Sequence, residues 1–119
     1  MNIKKFSEVT NLTTYTIRYY EKMGLLKNIS RNNSGHRWFT EKDIVWIAFI
    51  KRLKDTGMPL EEILQYAELR EQGNSTSEQR MQMLQEHALK LEANITEQQL
   101  NLEKLQQKII YYRKVIKLQ

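Results

Sequence analysis

The sequence predicts an all-α protein with a small β-wing, organised as a chain of two parts. Over the first 72 residues, apolar side chains recur at helical spacing in several short segments, and one strong turn signal interrupts them. From residue 77 onward, apolar side chains recur in alternating steps of three and four, with no Gly or Pro among them. We therefore expect a compact head over residues 1–72 and, over residues 73–119, a linker followed by one long helix.

Two short helices open the head. Ile3 and Phe6 lie at helical spacing in the first of them, which covers residues 3–10. Thr13 is suited to cap a second helix that runs to about Lys22, and Gly24 follows as its end signal. Two short helices joined by a tight turn form a helix-turn-helix, in which the second helix is presented outward.

A β-wing is predicted after the second helix. Residues 27–39 lose helical periodicity, and Asn32-Asn33-Ser34-Gly35 is a strong turn signal between two short segments. The second segment ends in Arg37-Trp38-Phe39. We expect Trp38 and Phe39 to pack between the wing and the third helix.

Two further helices complete the predicted head. Thr40-Glu41-Lys42-Asp43 resembles a capping box with Asp in place of Glu, and it predicts the start of a third helix that stops at Gly57. Pro59 suits the first turn of a fourth helix. Gly73-Asn74-Ser75-Thr76 predicts a linker to the last part of the chain.

Residues 77–117 predict one heptad helix, roughly 60 Å long at ~1.5 Å per residue. Such a helix is not stable alone with an apolar stripe facing water, so it needs a partner, and the simplest partner is a second copy. We therefore predict a homodimer. The seam positions are Met81, Leu84, Ala88, Leu91, Ile95, Gln98, Leu102, Leu105, Ile109, Tyr112 and Ile116.

An antiparallel pair of these helices has one register that uses nearly the whole seam. It sets Met81 against Tyr112 and Ile95 against Gln98, which places Gln98 beside the two-fold axis. Gln98 is the only strongly polar residue of the seam. Either it sets the alignment and orientation of the two helices, or it is a tolerated polar defect in a long seam.

Charge is concentrated in the first half of the chain. Residues 1–59 hold eleven Lys and Arg against five Asp and Glu, for a net +6, whereas residues 60–119 hold eight against nine, for a net −1. This distribution favours a polyanionic partner at the head.

Several other classes of protein are disfavoured by the sequence. The chain has no cysteine, which excludes thiol chemistry and thiolate metal sites, and no apolar run approaches the ~18 residues of a membrane span. His36 and His87 lie far apart, and no Gly-rich phosphate loop or paired carboxylates suggest a catalytic site. We expect a soluble intracellular protein that is not an enzyme and holds no metal or cofactor.

The second helix carries the side chains that point to function. Its segment Thr14-Tyr15-Thr16-Ile17-Arg18-Tyr19-Tyr20-Glu21-Lys22 has little apolar surface besides Ile17, and the rest is mostly hydroxyl, guanidinium and phenol. These groups hydrogen-bond phosphates and base edges, and a protruding helix suits the wide major groove of DNA. The segment predicts a helix that reads double-stranded DNA.

At this point the motifs resemble a known family. Ile17-Arg18-Tyr19-Tyr20-Glu21, Gly24-Leu25-Leu26 and Gly35-His36-Arg37-Trp38-Phe39 resemble, in order and spacing, the winged-helix head of MerR-type transcription regulators. Thr56-Gly57-Met58-Pro59-Leu60-Glu61-Glu62-Ile63 extends the similarity, which covers residues 1–70 closely.

The resemblance implies a cytoplasmic, nucleoid-associated bacterial regulator. It implies a dimer joined by an antiparallel coiled coil, which binds a pseudo-palindromic promoter operator and distorts the DNA where RNA polymerase acts. Two-fold symmetry predicts half-sites one helical turn apart, about 34–36 Å, or a multiple of it.

The resemblance also suggests roles for individual side chains. Tyr15 is the candidate for base-edge contact, and Tyr19 and Arg18 are preferred over Tyr20 as phosphate contacts because one of the two tyrosines is expected to pack inward. Arg37 is expected to clamp a phosphate. The full set of candidate DNA-binding residues is Thr14, Tyr15, Thr16, Arg18, Tyr19, Tyr20, Lys22, His36, Arg37 and Lys54.

The chain also departs from its nearest subgroup within that family. The segment around Arg52 resembles regulators that sense aldehydes or electrophiles through one cysteine, and Arg52 stands at that position here. The chain ends with its coiled coil, so we expect no drug-binding domain. The effector is unknown; a small pocket formed by Trp46, Tyr111 and Tyr112 is one option, and seam and core packing is the other. The alternative function is a coiled-coil adaptor or an architectural DNA-binding protein without effector sensing.

Overall fold

The computed structural model describes residues 1–119 and consists of five α-helices, a two-stranded sheet and a short 3₁₀-helix. The helices are α1 (Ile3–Thr10), α2 (Thr14–Met23), α3 (Glu41–Asp55), α4 (Leu60–Glu71) and α5 (Ser77–Leu118); the strands are β1 (Ser30–Arg31) and β2 (Arg37–Trp38), and the 3₁₀-helix is Asn74–Thr76. This order confirms the predicted all-α head with its wing and the long last helix. None of the helices combines the length and apolar character that crossing a membrane requires.

Capping residues define the first two helices. The Asn2 side chain accepts a hydrogen bond from the Lys5 amide at 2.9 Å, and α1 ends at Asn11 in the left-handed region, at φ 58°. Thr13 caps α2 as predicted, because its hydroxyl accepts from the Thr16 amide at 3.1 Å. Gly24 ends α2 at φ 92°, a conformation that glycine adopts without the steric cost of a side chain.

The wing is a short antiparallel hairpin. Ser30 pairs with Trp38 and Arg31 pairs with Arg37. The turn is held by the Asn32 side chain, which accepts hydrogen bonds from the amides of Ser34 and His36, each at 3.0 Å. Such a side-chain bridge explains why asparagine is favoured in tight turns.

The core of the head brings α1 against the chain that follows the wing. Phe6 and Phe39 are both essentially inaccessible, and their rings stack in parallel with centroids 4.2 Å apart. The Phe39 amide also donates to the Met1 carbonyl at 2.7 Å, which joins the start of the chain to the end of the wing. The remaining fully buried side chains of this core are Ile17, Leu25, Leu26, Ile50 and Ile63.

The exposure of Trp38 contradicts the prediction that both Trp38 and Phe39 pack between the wing and α3. Phe39 is buried as predicted, but its neighbour Trp38 is 45% exposed. Successive side chains of a strand point to opposite faces, so the two aromatic residues cannot both pack inward. Only Phe39 belongs to the core.

The helices α3 and α4 form the second layer of the head. The α3 start is capped as predicted: the Thr40 amide donates to the Asp43 carboxylate at 2.9 Å. Trp46 of α3 is buried, and its indole N–H donates to the Leu25 carbonyl at 2.6 Å, which ties α3 to the segment after α2. Pro59 lies at the N-cap position of α4, immediately before the first turn in which it was predicted.

The segment predicted as a linker is packed onto the head. Gly73 takes φ 87° and is followed by the 3₁₀-helix, whose last residue, Thr76, is only 3% exposed. The Thr76 hydroxyl donates to the Leu69 carbonyl at 2.5 Å and accepts from the Arg80 guanidinium at 3.1 Å. Because of these contacts, the first compact unit of the chain extends from residue 1 to residue 83.

The second compact unit covers residues 84–119 and is the helical remainder of α5. No side chain of α5 is buried in the single chain. Most of its seam residues expose about half or more of their surface, for example Ile95, Leu102 and Ile109, whereas Leu84 and Leu91 are half-buried. An exposed apolar stripe of this kind is typical of a surface that a partner covers.

Replacing Phe6 tests the core of the head. We expect Phe6→Ala to lower the free energy of unfolding by about 3–5 kcal/mol, because it removes a fully buried ring and leaves a cavity against Phe39. Urea unfolding at one fixed protein concentration measures the change. The exposed neighbour Lys5→Ala is the control and should stay within about 0.5 kcal/mol; equal losses in both variants would contradict this account of the core.

Candidate nucleic-acid interface

Burial divides the side chains of α2 into two faces. Ile17 and Tyr20 are buried against the head, whereas Tyr15 is 78% exposed and Tyr19 is 42% exposed. Arg18 and Lys22 are also exposed. The outer surface of α2 therefore presents phenol hydroxyls, a guanidinium and an ammonium group to the solvent.

The two threonines of α2 are less accessible than Tyr15. Thr14 and Thr16 are half-buried at the first turn of the helix. The Thr16 hydroxyl accepts a hydrogen bond from the Thr13 hydroxyl at 2.9 Å, so one of its lone pairs is already used. These two side chains flank Tyr15 without matching its exposure.

Tyr20 requires a correction among the candidate contact residues. Its ring is only 8% exposed and belongs to the core of the head, so it does not share the outer face with Tyr19. Adjacent positions on a helix point about 100° apart, which is why two consecutive tyrosines separate in this way. The Tyr20 hydroxyl instead accepts a hydrogen bond from the exposed Lys54 ammonium at 3.3 Å, and Lys54 also lies over the Tyr20 ring at 5.7 Å.

Arg37 of β2 contacts α2. Its Nε donates to the Glu21 carboxylate of α2 at 2.6 Å, and both side chains remain about a quarter to a third exposed. The sequence predicted a phosphate contact for Arg37 and did not predict this ion pair. His36, the preceding residue, is exposed at the wing turn.

A cleft of about 380 Å³ lies among α1, α2 and the wing. We call it the cationic cleft, and its side chains include Lys4, Arg18, Arg31, His36, Arg37 and Trp38. Three of these, Lys4, Arg31 and Trp38, were not among the sequence-based candidates. The predicted hairpin could have indicated Arg31, because Arg31 and Arg37 pair directly across the strands; no local pattern indicates Lys4.

A second cleft, of about 580 Å³, lies between α3, α4 and the first turns of α5, within the first unit. Its walls include Trp46, Phe49 and Tyr66, with the Arg70 guanidinium 4.1 Å from the Trp46 ring centre. The ring of Trp46 lies nearly parallel to that of Tyr66, with centroids 6.0 Å apart. Trp46 is thus a core residue with one face at a cleft. Of the two sequence-based interpretations of Trp46, this agrees with core packing.

The exposed groups of the head suit a polyanion. Arginine and lysine side chains pair with phosphates, and phenol or threonine hydroxyls donate to phosphates and to base edges. The protein contains no cluster of three or more carboxylate, histidine or cysteine side chains that would hold a metal ion.

Comparisons with known proteins agree with this geometry. Residues 1–69 match the family model described as MerR HTH family regulatory protein, and residues 44–108 match the model described as MerR, DNA binding. An uncharacterized HTH-type transcriptional regulator of Haemophilus influenzae is 36% identical over 92% of this chain and 82% of its own length. The regulator AdhR of Bacillus subtilis is 37% identical over 76% of this chain and 65% of its own length.

Solved structures show the same architecture. HiNmlR, a MerR family regulator that lacks the sensor domain and was crystallised bound to promoter DNA, has a TM-score of 0.86 and 34% identity, over 95% of this chain and 90% of that one. A MerR family regulator from Bacillus thuringiensis has a TM-score of 0.79 and 34% identity, over 92% and 96%. Since the family model alone matches more than half of the residues, the chain belongs to the MerR family of HTH regulatory proteins and is a DNA-binding transcriptional regulator.

Proposed function

We propose that the protein acts as a homodimer on a pseudo-palindromic promoter operator and distorts the DNA that it binds. The observation that carries this proposal is the outward face of α2, where Tyr15, Arg18 and Tyr19 stand exposed beside the cationic cleft. The DNA-bound relative HiNmlR supports it, because its chain is similar over nearly the whole length of this one.

In this proposal α2 enters the major groove of the DNA, and the wing lies along the sugar-phosphate backbone. Tyr15, the most exposed side chain of α2, reads base edges with Thr14 and Thr16 beside it. Phosphates are contacted by Arg18, Tyr19, Lys22, His36, Arg37 and Lys54. Tyr20 is assigned a supporting role, since it packs under the helix and meets Lys54 through its hydroxyl.

The homodimer is proposed to form through α5. Most seam residues are exposed in the single chain, and a second copy in the antiparallel register would bury the seam from Met81 to Tyr112. Two copies then supply two recognition helices to one operator, and a two-fold protein matches a pseudo-palindromic site.

From family membership we also propose that the protein distorts the DNA and contacts RNA polymerase at the promoter. Bending or untwisting a site of this size costs on the order of a few kcal/mol, so firm contacts are needed on both sides of the deformed centre. A regulator with this role acts at the nucleoid in the bacterial cytoplasm. The absence of cysteine, with Arg52 at the position expected for a sensing thiol, favours one second candidate: an architectural DNA-binding protein without effector sensing.

Removing Arg18 tests the interface. We expect Arg18→Ala to weaken binding to the operator identified by footprinting and to lower the slope of log K against log salt by about 2, one phosphate contact for each copy. Fluorescence anisotropy at several salt concentrations measures both. Lys104→Ala removes an exposed cation of the second unit and should leave the slope unchanged. An unchanged slope in Arg18→Ala would remove Arg18 from the proposed interface.

Two leucines of equal exposure test the seam. Leu100 and Leu102 are each 53% exposed in the single chain, but only Leu102 lies at a seam position. We expect Leu102→Glu to shift the protein toward monomer in sedimentation equilibrium, because a charge would be buried between two helices. Leu100→Glu should remain dimeric. The proposed seam is incorrect if both variants dissociate alike.

The orientation of the helices can be measured directly, because the chain contains no cysteine. Under mild oxidation we expect the double variant Leu84→Cys, Ile109→Cys to form cross-linked dimers, since the proposed antiparallel register pairs these positions. If Gln98 sets this register, adding Gln98→Leu should lower the cross-linked yield or change the oligomer size. A yield and a size that both stay the same would assign Gln98 no such role.

A further inference from the structure

A carboxylate stands at the edge of the surface that is proposed to meet phosphates. Glu21 lies one turn after Arg18 on α2, and its side chain is 25% exposed. An acidic group in this place repels DNA through its charge. Its ion-pair partner is the Arg37 guanidinium, 2.6 Å away on the wing.

The geometry of this ion pair leaves most of Arg37 available. The bond to Glu21 uses Nε, and the two Nη groups at the end of the guanidinium make no hydrogen bond within the chain. A guanidinium is planar, so a bond at Nε fixes the direction in which the Nη edge points. The same edge is the one that binds a phosphate through two parallel hydrogen bonds.

The pair also joins the two elements that are proposed to contact DNA. Glu21 belongs to α2, Arg37 belongs to β2, and Arg37 lines the cationic cleft together with Arg18. An arginine side chain has many rotamers, and a side chain that is already held loses less entropy when it binds. A carboxylate beside the cations of the cleft also reduces their mutual repulsion.

We propose that Glu21 is a positioning residue for DNA recognition: its carboxylate holds Arg37 against α2 so that the Nη edge faces a phosphate of the operator. The inference rests on the proposed role of Arg37 in DNA binding. It assigns to the last residue of the Arg18-Tyr19-Tyr20-Glu21 motif a function that does not involve contact with DNA.

Glu21 could affect DNA affinity through its charge or by positioning Arg37, and the two explanations predict opposite effects of removing it. Two variants distinguish them. Glu21→Ala removes both the negative charge and the acceptor for Nε. Glu21→Gln removes the charge but keeps an amide oxygen of the same reach, which can still accept the hydrogen bond. If Glu21 acted only through its charge, both variants would bind DNA more tightly than the natural protein.

The experiment measures operator affinity against salt for the full-length dimer in five forms. These are the natural protein, Glu21→Gln, Glu21→Ala, Arg37→Ala and the double variant Glu21→Ala, Arg37→Ala. Circular dichroism and sedimentation confirm that each form is folded and dimeric. The slope of log K against log salt is the decisive reading, because a partial loss of folded protein changes the active fraction and not the slope.

We expect Glu21→Ala to bind about 5–10-fold more weakly and to show the reduced salt slope of Arg37→Ala, since an unheld guanidinium loses its phosphate contact. Glu21→Gln should keep the natural slope, and its affinity should be no more than about twofold weaker than that of the natural protein. In the Arg37→Ala background, Glu21→Ala should cause no further weakening, because the two residues act as one unit.

Tighter binding by both Glu21→Ala and Glu21→Gln would overturn the inference, and so would equal weakening by Glu21→Ala with and without Arg37. These results leave the DNA-binding role of Arg37 intact, provided that Arg37→Ala itself weakens binding. If Arg37→Ala binds with the natural slope, the proposed phosphate contact fails and the positioning role fails with it. If the natural protein binds no duplex, the proposed function fails first.

Discussion

The burial of one side of α2 is the constraint on which the rest of the head depends. Ile17 and Tyr20 pack inward, and because a helix turns about 100° per residue, this packing determines that Tyr15, Arg18 and Tyr19 face outward. The core that receives them is built from α1, α3 and the end of the wing, with the Phe6–Phe39 stack at its centre. The polar face of α2 is therefore a consequence of apolar packing on its other face.

The polar groups beside α2 are arranged by a small number of directional bonds. Thr13 and Gly24 set the two ends of the helix, Lys54 meets the Tyr20 hydroxyl, and Arg37 meets Glu21. Each of these bonds joins α2 to another element or ends it at a defined residue. Lys54 stays exposed and Arg37 stays partly exposed in these bonds, so both cations remain accessible to a ligand.

The second unit is not stabilised in the same way as the head. In the head, buried side chains stabilise the fold within one chain, but α5 buries none of its own side chains between Ser77 and Leu118. Most of its apolar residues from Ile95 to Ile116 are about half or more exposed, and Val115 is half-buried. An isolated helix of this composition is not stabilised by tertiary packing, so association is expected to supply the missing burial.

Much of this architecture follows from the amino-acid sequence alone, because the strongest signals are local. Thr13, Gly24 and the Asn32–Gly35 turn specify caps and a hairpin through hydrogen bonds between near neighbours, and heptad spacing specifies a long helix. The order of motifs was also enough to indicate the MerR family, although several proposed contact residues rest on that resemblance.

Which of two adjacent side chains is buried, and which distant groups meet, depends on the packing of the whole head. The sequence placed Trp38 in the core and listed both Tyr19 and Tyr20 as candidate contacts, because neighbouring residues of similar chemistry differ only in the direction they point. Lys4 enters the cationic cleft, Thr76 packs the expected linker onto the head, and Glu21 binds Arg37 across the fold. The contacts of Thr76 and Glu21 join residues that are 7 and 16 positions apart, and no local periodicity encodes such a pairing.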